Sequence, residues 1–294
     1  MTRLGKASAI ARHVATRRLQ EGLIRAHRVP RYAYRHYFLE DEGLHSRIHL
    51  QNFYSTMWPN IGEPVAARVE LFDATGHSLG ALERRIAPFG GLFLEVGDAL
   101  AELGARVPEG TVLVDAEPPR GALAELTSFP LEDKTELLLG TPFWMAYYDD
   151  DENYMYVHAI SPEMGEYHVV PKPIGRFLIQ GGARTGGRWR AGRLLDVAGL
   201  ADLQVVVVNH ANGRRVTELG LYDADDGSAV WKTHLDLSAH EVGRVRVDHA
   251  ALDAFRLRKP EGRFRAGLDP LPTSNGKPYL LMRYGDGPLS LHHG

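Results

Sequence analysis

The chain has 294 residues, 44% hydrophobic and 24% charged, with a formal net charge of −3. That balance excludes wholesale disorder and suits a globular chain long enough for two ordinary domains. The lack of cysteine excludes disulfides, thiolate catalysis and Cys-ligated zinc or iron–sulfur centres, and the net charge argues against a dedicated nucleic-acid binder. No apolar run reaches the roughly 18–20 residues of a membrane-spanning helix. The first thirty residues lack a secretory apolar core, so the chain is expected to be cytoplasmic.

Residues 1–30 carry Arg3, Lys6, Arg12, Arg17, Arg18, Arg25 and Arg28 against Glu21 alone. Ile10, Val14, Leu19, Leu23 and Ile24 fall at helical spacing, which predicts a basic amphipathic helix closed by Val29-Pro30. Its basic face is either solvated or meets an acidic partner or nucleic acid. After Pro30 the texture changes to short alternating or apolar runs cut by Gly, Pro, Asp and Asn, as in Leu44–Gln51, Val65–Phe72, Gly91–Val96, Thr111–Val114 and Pro142–Tyr148. Strands at such close spacing predict an all-β chain of sandwich or barrel type.

The same pieces then recur in the same order. Leu71-Phe-Asp-Ala74 returns as Leu221-Tyr-Asp-Ala224, Gly91–Leu100 as Gly243–Leu252, and Pro108-Glu-Gly110 as Pro260-Glu-Gly262. Gly140–Tyr148 returns as Gly276–Tyr284, and Met155-Tyr-Val-His158 as Leu289-Ser-Leu-His292. An ordered series of this kind predicts a duplicated module. The expected layout is a basic helix over 1–30, a first antiparallel β-sandwich over 31–160, a linker over 161–193 and a second sandwich over 194–294. Val205–Val208 reads as a central strand buried on both faces, because it is apolar at every position.

Ile48–Asn52, Val69–Asp73 and Pro142–Tyr147, with Val205–Asn209 and Pro278–Tyr284, give a module order that resembles the sensory rhodopsin transducer family. The resemblance covers roughly residues 36–160 and 175–294. It implies Ig-like or transducer-like sandwiches in a non-enzymatic, oligomeric signalling or ligand-binding protein.

Two places invite a site. The first copy holds an aromatic insertion, Phe53-Tyr-Ser-Thr-Met-Trp-Pro59, which the second lacks; aromatic rings on a loop offer a stacking platform or pack between domains. Period-2 geometry also puts His45, Arg47, His49 and Gln51 on one strand face, and Tyr154, Tyr156 and His158 on another. The expected ligand-binding residues are therefore Arg47, Asn52, Tyr54, Trp58, Tyr148 and Tyr156. His45, His49 and His158 are the candidate ligands of a divalent metal, or hydrogen-bonded structural histidines. The function expected is binding of a small molecule or protein partner. The alternative is an enzyme using the three histidines on a small apolar or aromatic substrate. The acidic turn Asp149–Glu152 lacks the alternating ligands and glycine of an EF-hand, and reads as a solvated turn.

Overall fold

A computed structural model describes residues 32–41, 43–117, 119–122, 143–158, 161–164, 189–210, 213–272 and 277–293. The basic helix expected over 1–30 lies outside the described residues. The chain is mostly β, in four antiparallel sheets. Its first half contains β1 (Tyr32–Leu39), β2 (Leu44–Gln51), α1 (Phe53–Met57), β3 (Val65–Asp73), β4 (Ser78–Ile86), β5 (Gly91–Glu95), α2 (Val96–Glu102) and β6 (Glu109–Glu117). β7 (Trp144–Asp149), β8 (Tyr154–His158) and β9 (Ser161–Met164) follow. The second half has β10 (Trp189–Arg190), β11 (Leu195–Asp196), β12 (Leu200–Val208), β13 (Arg215–Asp223), β14 (Ala229–Leu237), β15 (Val242–Arg246), α3 (His249–Arg258), β16 (Arg263–Asp269), β17 (Tyr279–Tyr284) and β18 (Ser290–His293).

The strand order repeats. One sheet of the first half runs β4-β3-β6-β1-β9, and its counterpart runs β14-β13-β16-β10, with β11 also on β16. The other runs β5-β2-β7-β8, matched by β15-β12-β17-β18. Local detail repeats as well. Register shifts fall at Leu71/Phe72 and at Leu221/Tyr222, just before the two Asp turns. In each turn the aspartate bonds back to the turn: Asp73 Oδ1 accepts from the Thr75 and His77 amides, and Asp223 Oδ1 from the Asp225 amide. Such Asx bonds are why aspartate suits a tight reversal.

Register corrects one expectation. Ile48 faces Met145 across β2 and β7, and Val205 faces Leu280 across β12 and β17. Asn52 and Asn209 close the two leading strands, so Ile48 corresponds to Val205, and Leu280 then takes the place of Met145. Sequence likeness had aligned Leu280 with Trp144 and His292 with His158. Pairing instead puts His293 opposite Tyr279, as His158 is opposite Trp144. A slip of one residue exchanges the two faces of a strand, so the correction decides which side chains are inward. The stretch read as a linker also differs at its ends: Ser161–Met164 pairs with β1, and Trp189–Arg190 pairs with β16.

The sheet β15-β12-β17-β18 is covered on both sides. Val205, Val207, Leu280 and Met282 join a buried cluster with Leu219, Leu221, Phe264 and Leu268. The alternate residues Val206, Val208, Tyr279, Leu281 and Leu291 join the cluster of the first half, with Tyr37, Phe38 and Tyr147. This is the physical basis of the all-apolar run at 205–208. Polar bonds mark the same boundary: the Val242 amide donates to the Ala74 carbonyl at 2.8 Å, and Arg244 pairs with Glu109 at 3.2 Å. The Tyr279 hydroxyl accepts from the Tyr37 amide at 3.3 Å. The equivalent face in the first half, on β5-β2-β7-β8, has a different composition.

Candidate functional site

The outer face of β5-β2-β7-β8 is built row by row. In one row Phe93, His49 and Trp144 lie side by side, and the register pairs Trp144 with His158 of β8. In the next come Glu95, Arg47, Ala146 and Tyr156, then His45, Tyr148 and Tyr154. Leu44, Ser46, Ile48 and Leu50 of β2 turn inward and are buried, which fixes His45, Arg47, His49 and Gln51 outward. Apolar rings stand in water here: Phe93 is 66% exposed, Tyr156 55% and Trp144 51%, with Tyr154 also exposed. An apolar group of this size on one sheet face is the kind of feature that marks an interaction surface.

The polar groups between the rings are tied to one another. The Arg47 guanidinium pairs with the Glu95 carboxylate and donates to the Tyr154 hydroxyl at 3.2 Å. It also lies over the Tyr148 ring at 4.9 Å and the Tyr154 ring at 5.5 Å. The Tyr148 hydroxyl donates to Glu95 at 2.6 Å; burial, and then the negative charge it faces, raise its pKa. Tyr148 and Tyr154 stack at 5.1 Å between centroids, and Tyr154 and Tyr156 at 6.1 Å. Ala146, the small residue between Arg47 and Tyr156, leaves the room in which these long side chains meet.

The two β2 histidines differ. His45 bonds to Glu40 and to Asp150, both at 3.3 Å. Partial burial pulls its pKa down, but the two carboxylates outweigh that and hold it above the ordinary value. His49 meets Phe93 and Tyr156 edge-on at 4.9 and 5.4 Å, and its Nε2 is buried without a hydrogen-bond partner. Burial first, then the Arg47 charge, lower its pKa. A charged imidazole is disfavoured in that ring-lined position.

Metal binding by the three histidines meets a geometric obstacle. His45 and His49 are four residues apart on one strand, about 13 Å at ~3.3 Å per residue, too far to share an ion. Among the described residues no group of three His, Asp or Glu side chains is placed to hold a metal. In the acidic turn Asp149 Oδ1 accepts from the Asp151 amide at 3.1 Å and the Asn153 amide at 2.9 Å, and Asp150 is the partner of His45.

The aromatic insertion is not a loop platform. Phe53–Met57 forms α1, Tyr54 is fully buried, and Trp58 stacks on it at 6.4 Å within the core. Both rings are covered by packing, because the helix turns them inward. Asn52 is buried too. Its side chain caps α1 through the Ser55 amide and donates to the Glu63 and Ala87 carbonyls at 3.0 and 3.2 Å. Asn209 does the same work in the second half, donating to Gly213, Leu237 and Ser238. The candidates thus separate: Arg47, Tyr148 and Tyr156 share the outer face with His45 and His49, while Asn52, Tyr54 and Trp58 are internal. Trp144 and Phe93 had not been singled out. Their place in the period-2 pattern of β7 and β5 was the available signal, but it needed the strand pairing to be useful.

No family model and no curated protein matches the chain. Among solved structures, similarity is found to a putative beta-galactosidase from Bacteroides fragilis. Identity is 12%, covering 89% of this chain and 32% of that one, with a TM-score of 0.17. A glycosyl hydrolase family 2 member from Bacteroides cellulosilyticus DSM 14838 is similar at 10% identity, covering 89% and 27%, with a TM-score of 0.16. The chain spans about a third or less of the length of these proteins. Among the described residues no helix is long and apolar enough to cross a membrane.

Proposed function

We propose that the chain is a non-enzymatic binding protein made of two tandem β-sandwich modules, whose ligand surface is the outer face of β5-β2-β7-β8. One observation carries this reading. At the positions of His49, Trp144, Ala146 and Tyr156 the second half has Val206, Tyr279, Leu281 and Leu291, all buried against the first half, while here Phe93, Trp144 and Tyr156 are exposed rings around an Arg47–Glu95 pair. Exposing Phe93, Trp144 and Tyr156 to water has a free-energy cost that a ligand would relieve. The likeness of the module order to the sensory rhodopsin transducer family supports binding over catalysis. The enzyme reading has less support, since His45 and His49 stand two sheet rows apart, with Arg47 between them.

The test uses fluorotryptophan labelling, with the Trp144 resonance assigned by Trp144→Phe. A panel of sugars, aromatic metabolites and peptides is first screened by thermal shift. Ligands that stabilise the protein are expected to move the Trp144 resonance more than those of Trp58 and Trp231. A stabilising ligand that leaves Trp144 in place rejects this face as the site.

A further inference from the structure

We infer that the ligand of this face is an uncharged glycan chain lying across the strands. The inference rests on the binding reading above and names the chemistry of the ligand.

Three observations converge on it. The first is the kind of surface. A pyranose has an apolar face of C–H bonds and a rim of hydroxyls, so it pairs with a flat ring that has hydrogen-bonding groups at its edges. Phe93 on β5, Trp144 on β7 and Tyr156 on β8 supply exposed rings across four neighbouring strands, a span of about 14 Å at ~4.8 Å per strand. Arg47, Glu95 and the Tyr148 and Tyr154 hydroxyls sit between and beside them, already held in place by mutual bonds. Fixed polar groups lose little freedom when a hydroxyl arrives.

The second is charge. Arg47 is matched by Glu95 on the face itself, and one end of the face carries Asp149, Asp150, Asp151 and Glu152. Among the described residues of this face the cations Arg47 and His45 are already paired with carboxylates, so a polyanion such as a nucleic acid or a polyuronate would meet the acidic turn with no cation to replace its counterions. An uncharged polymer meets no such penalty.

The third is an internal control. The chain itself shows how a protein surface docks on this kind of sheet. At the positions of His49, Trp144, Ala146 and Tyr156 the second half has Val206, Tyr279, Leu281 and Leu291, all buried. Arg244 stands at the position of Phe93 and Gln204 at that of Arg47, so the protein-covered copy keeps one ring, the buried Tyr279, where the open copy has three exposed ones. The open copy has large rings interleaved with paired polar groups, and its exposure of half or more at three rings along the sheet face leaves apolar surface for a ligand that runs across the strands.

The experiment is native affinity electrophoresis of the full chain in gels containing a mixed-linkage β-glucan, xyloglucan, galactomannan, soluble starch, alginate or single-stranded DNA. At least one neutral polysaccharide is expected to retard the protein, with little dependence on salt. Trp144→Ala and Tyr156→Ala are expected to weaken retardation about ten-fold or more, near 1.4 kcal/mol. Leu257→Ala, an exposed residue on α3, is expected to leave it unchanged. Size-exclusion chromatography of the same proteins separates the failures. Retardation by alginate or DNA alone, or by no polymer, overturns the glycan inference. If self-association is then found and is lost in Trp144→Ala, the face is still a binding surface, for a second copy. If neither ligand nor association responds to Trp144→Ala, the binding reading fails as well.

Discussion

Asn52 and Asn209 offer a direct test of how the repeat is built. Each ends the leading strand of its half, is buried, and spends its carboxamide on backbone groups of the loops that close the module. Asn209 Nδ2 lies 2.9, 3.2 and 2.6 Å from the carbonyls of Gly213, Leu237 and Ser238. Truncation to alanine leaves buried carbonyls without a donor, at ~1–3 kcal/mol for each group that cannot reach water. Two donor hydrogens are removed, so the expected loss for Asn209→Ala is about 2–6 kcal/mol. Asn52→Ala loses a similar amount plus about 1 kcal/mol for the α1 cap. With a urea m-value of about 3 kcal/mol/M, each variant should unfold roughly 1–2 M earlier than the parent. Asn209→Asp is the sharper variant. It keeps the volume but turns donors into acceptors facing carbonyl oxygens, so it must be worse than alanine. Asn153→Ala, in the exposed β7–β8 turn, is the control and should shift stability by no more than about 0.5–1 kcal/mol. If Asn209→Asp proves milder than Asn209→Ala, the side chain fills space and the hydrogen-bond account is wrong.

Two further outcomes are expected. Imidazole NMR titration should place His45 above the ordinary histidine pKa of 6.5 and His49 below it. For His45 the folded state binds the proton more tightly, so its stabilisation is complete below the unfolded pKa and is lost as pH rises through the higher folded value; His45→Gln should flatten that fall. The sign is opposite for His49, whose contribution is present above its unfolded pKa and is lost as pH falls through the lower folded value; the same order for both residues in the spectrum would refute the assignment. At the contact between halves, Gly76 has φ of +83°, and a Cβ there would come within 2.7 Å of the Ala239 carbonyl oxygen. Gly76→Ala should therefore cost more than the ~1 kcal/mol of left-handed strain alone, read as a lowered Tm together with faster hydrogen exchange at the Val242 amide.

Much of the fold was legible in the residues. Alternation along Leu44–Gln51 set inward and outward sides, because a strand allows no other period. The paired Asp turns and closing asparagines marked equivalent points of two halves, since each is a local bond the chain makes with itself. The four valines at 205–208 announced a strand covered twice. What remained hidden depends on partners far away in the chain. The aromatic run after Asn52 has the same composition whether it lies in water or in the core; only the turn of α1 puts Tyr54 and Trp58 inside. The placement of Trp144 and Phe93 beside His49 is a matter of register between strands, and local likeness set the corresponding register of the second half one residue off. Period-2 chemistry thus determines that a strand has two faces. Which face is buried, and which is left open with its rings in water, is decided by non-local packing of sheet on sheet, where one residue of slip reverses every side chain.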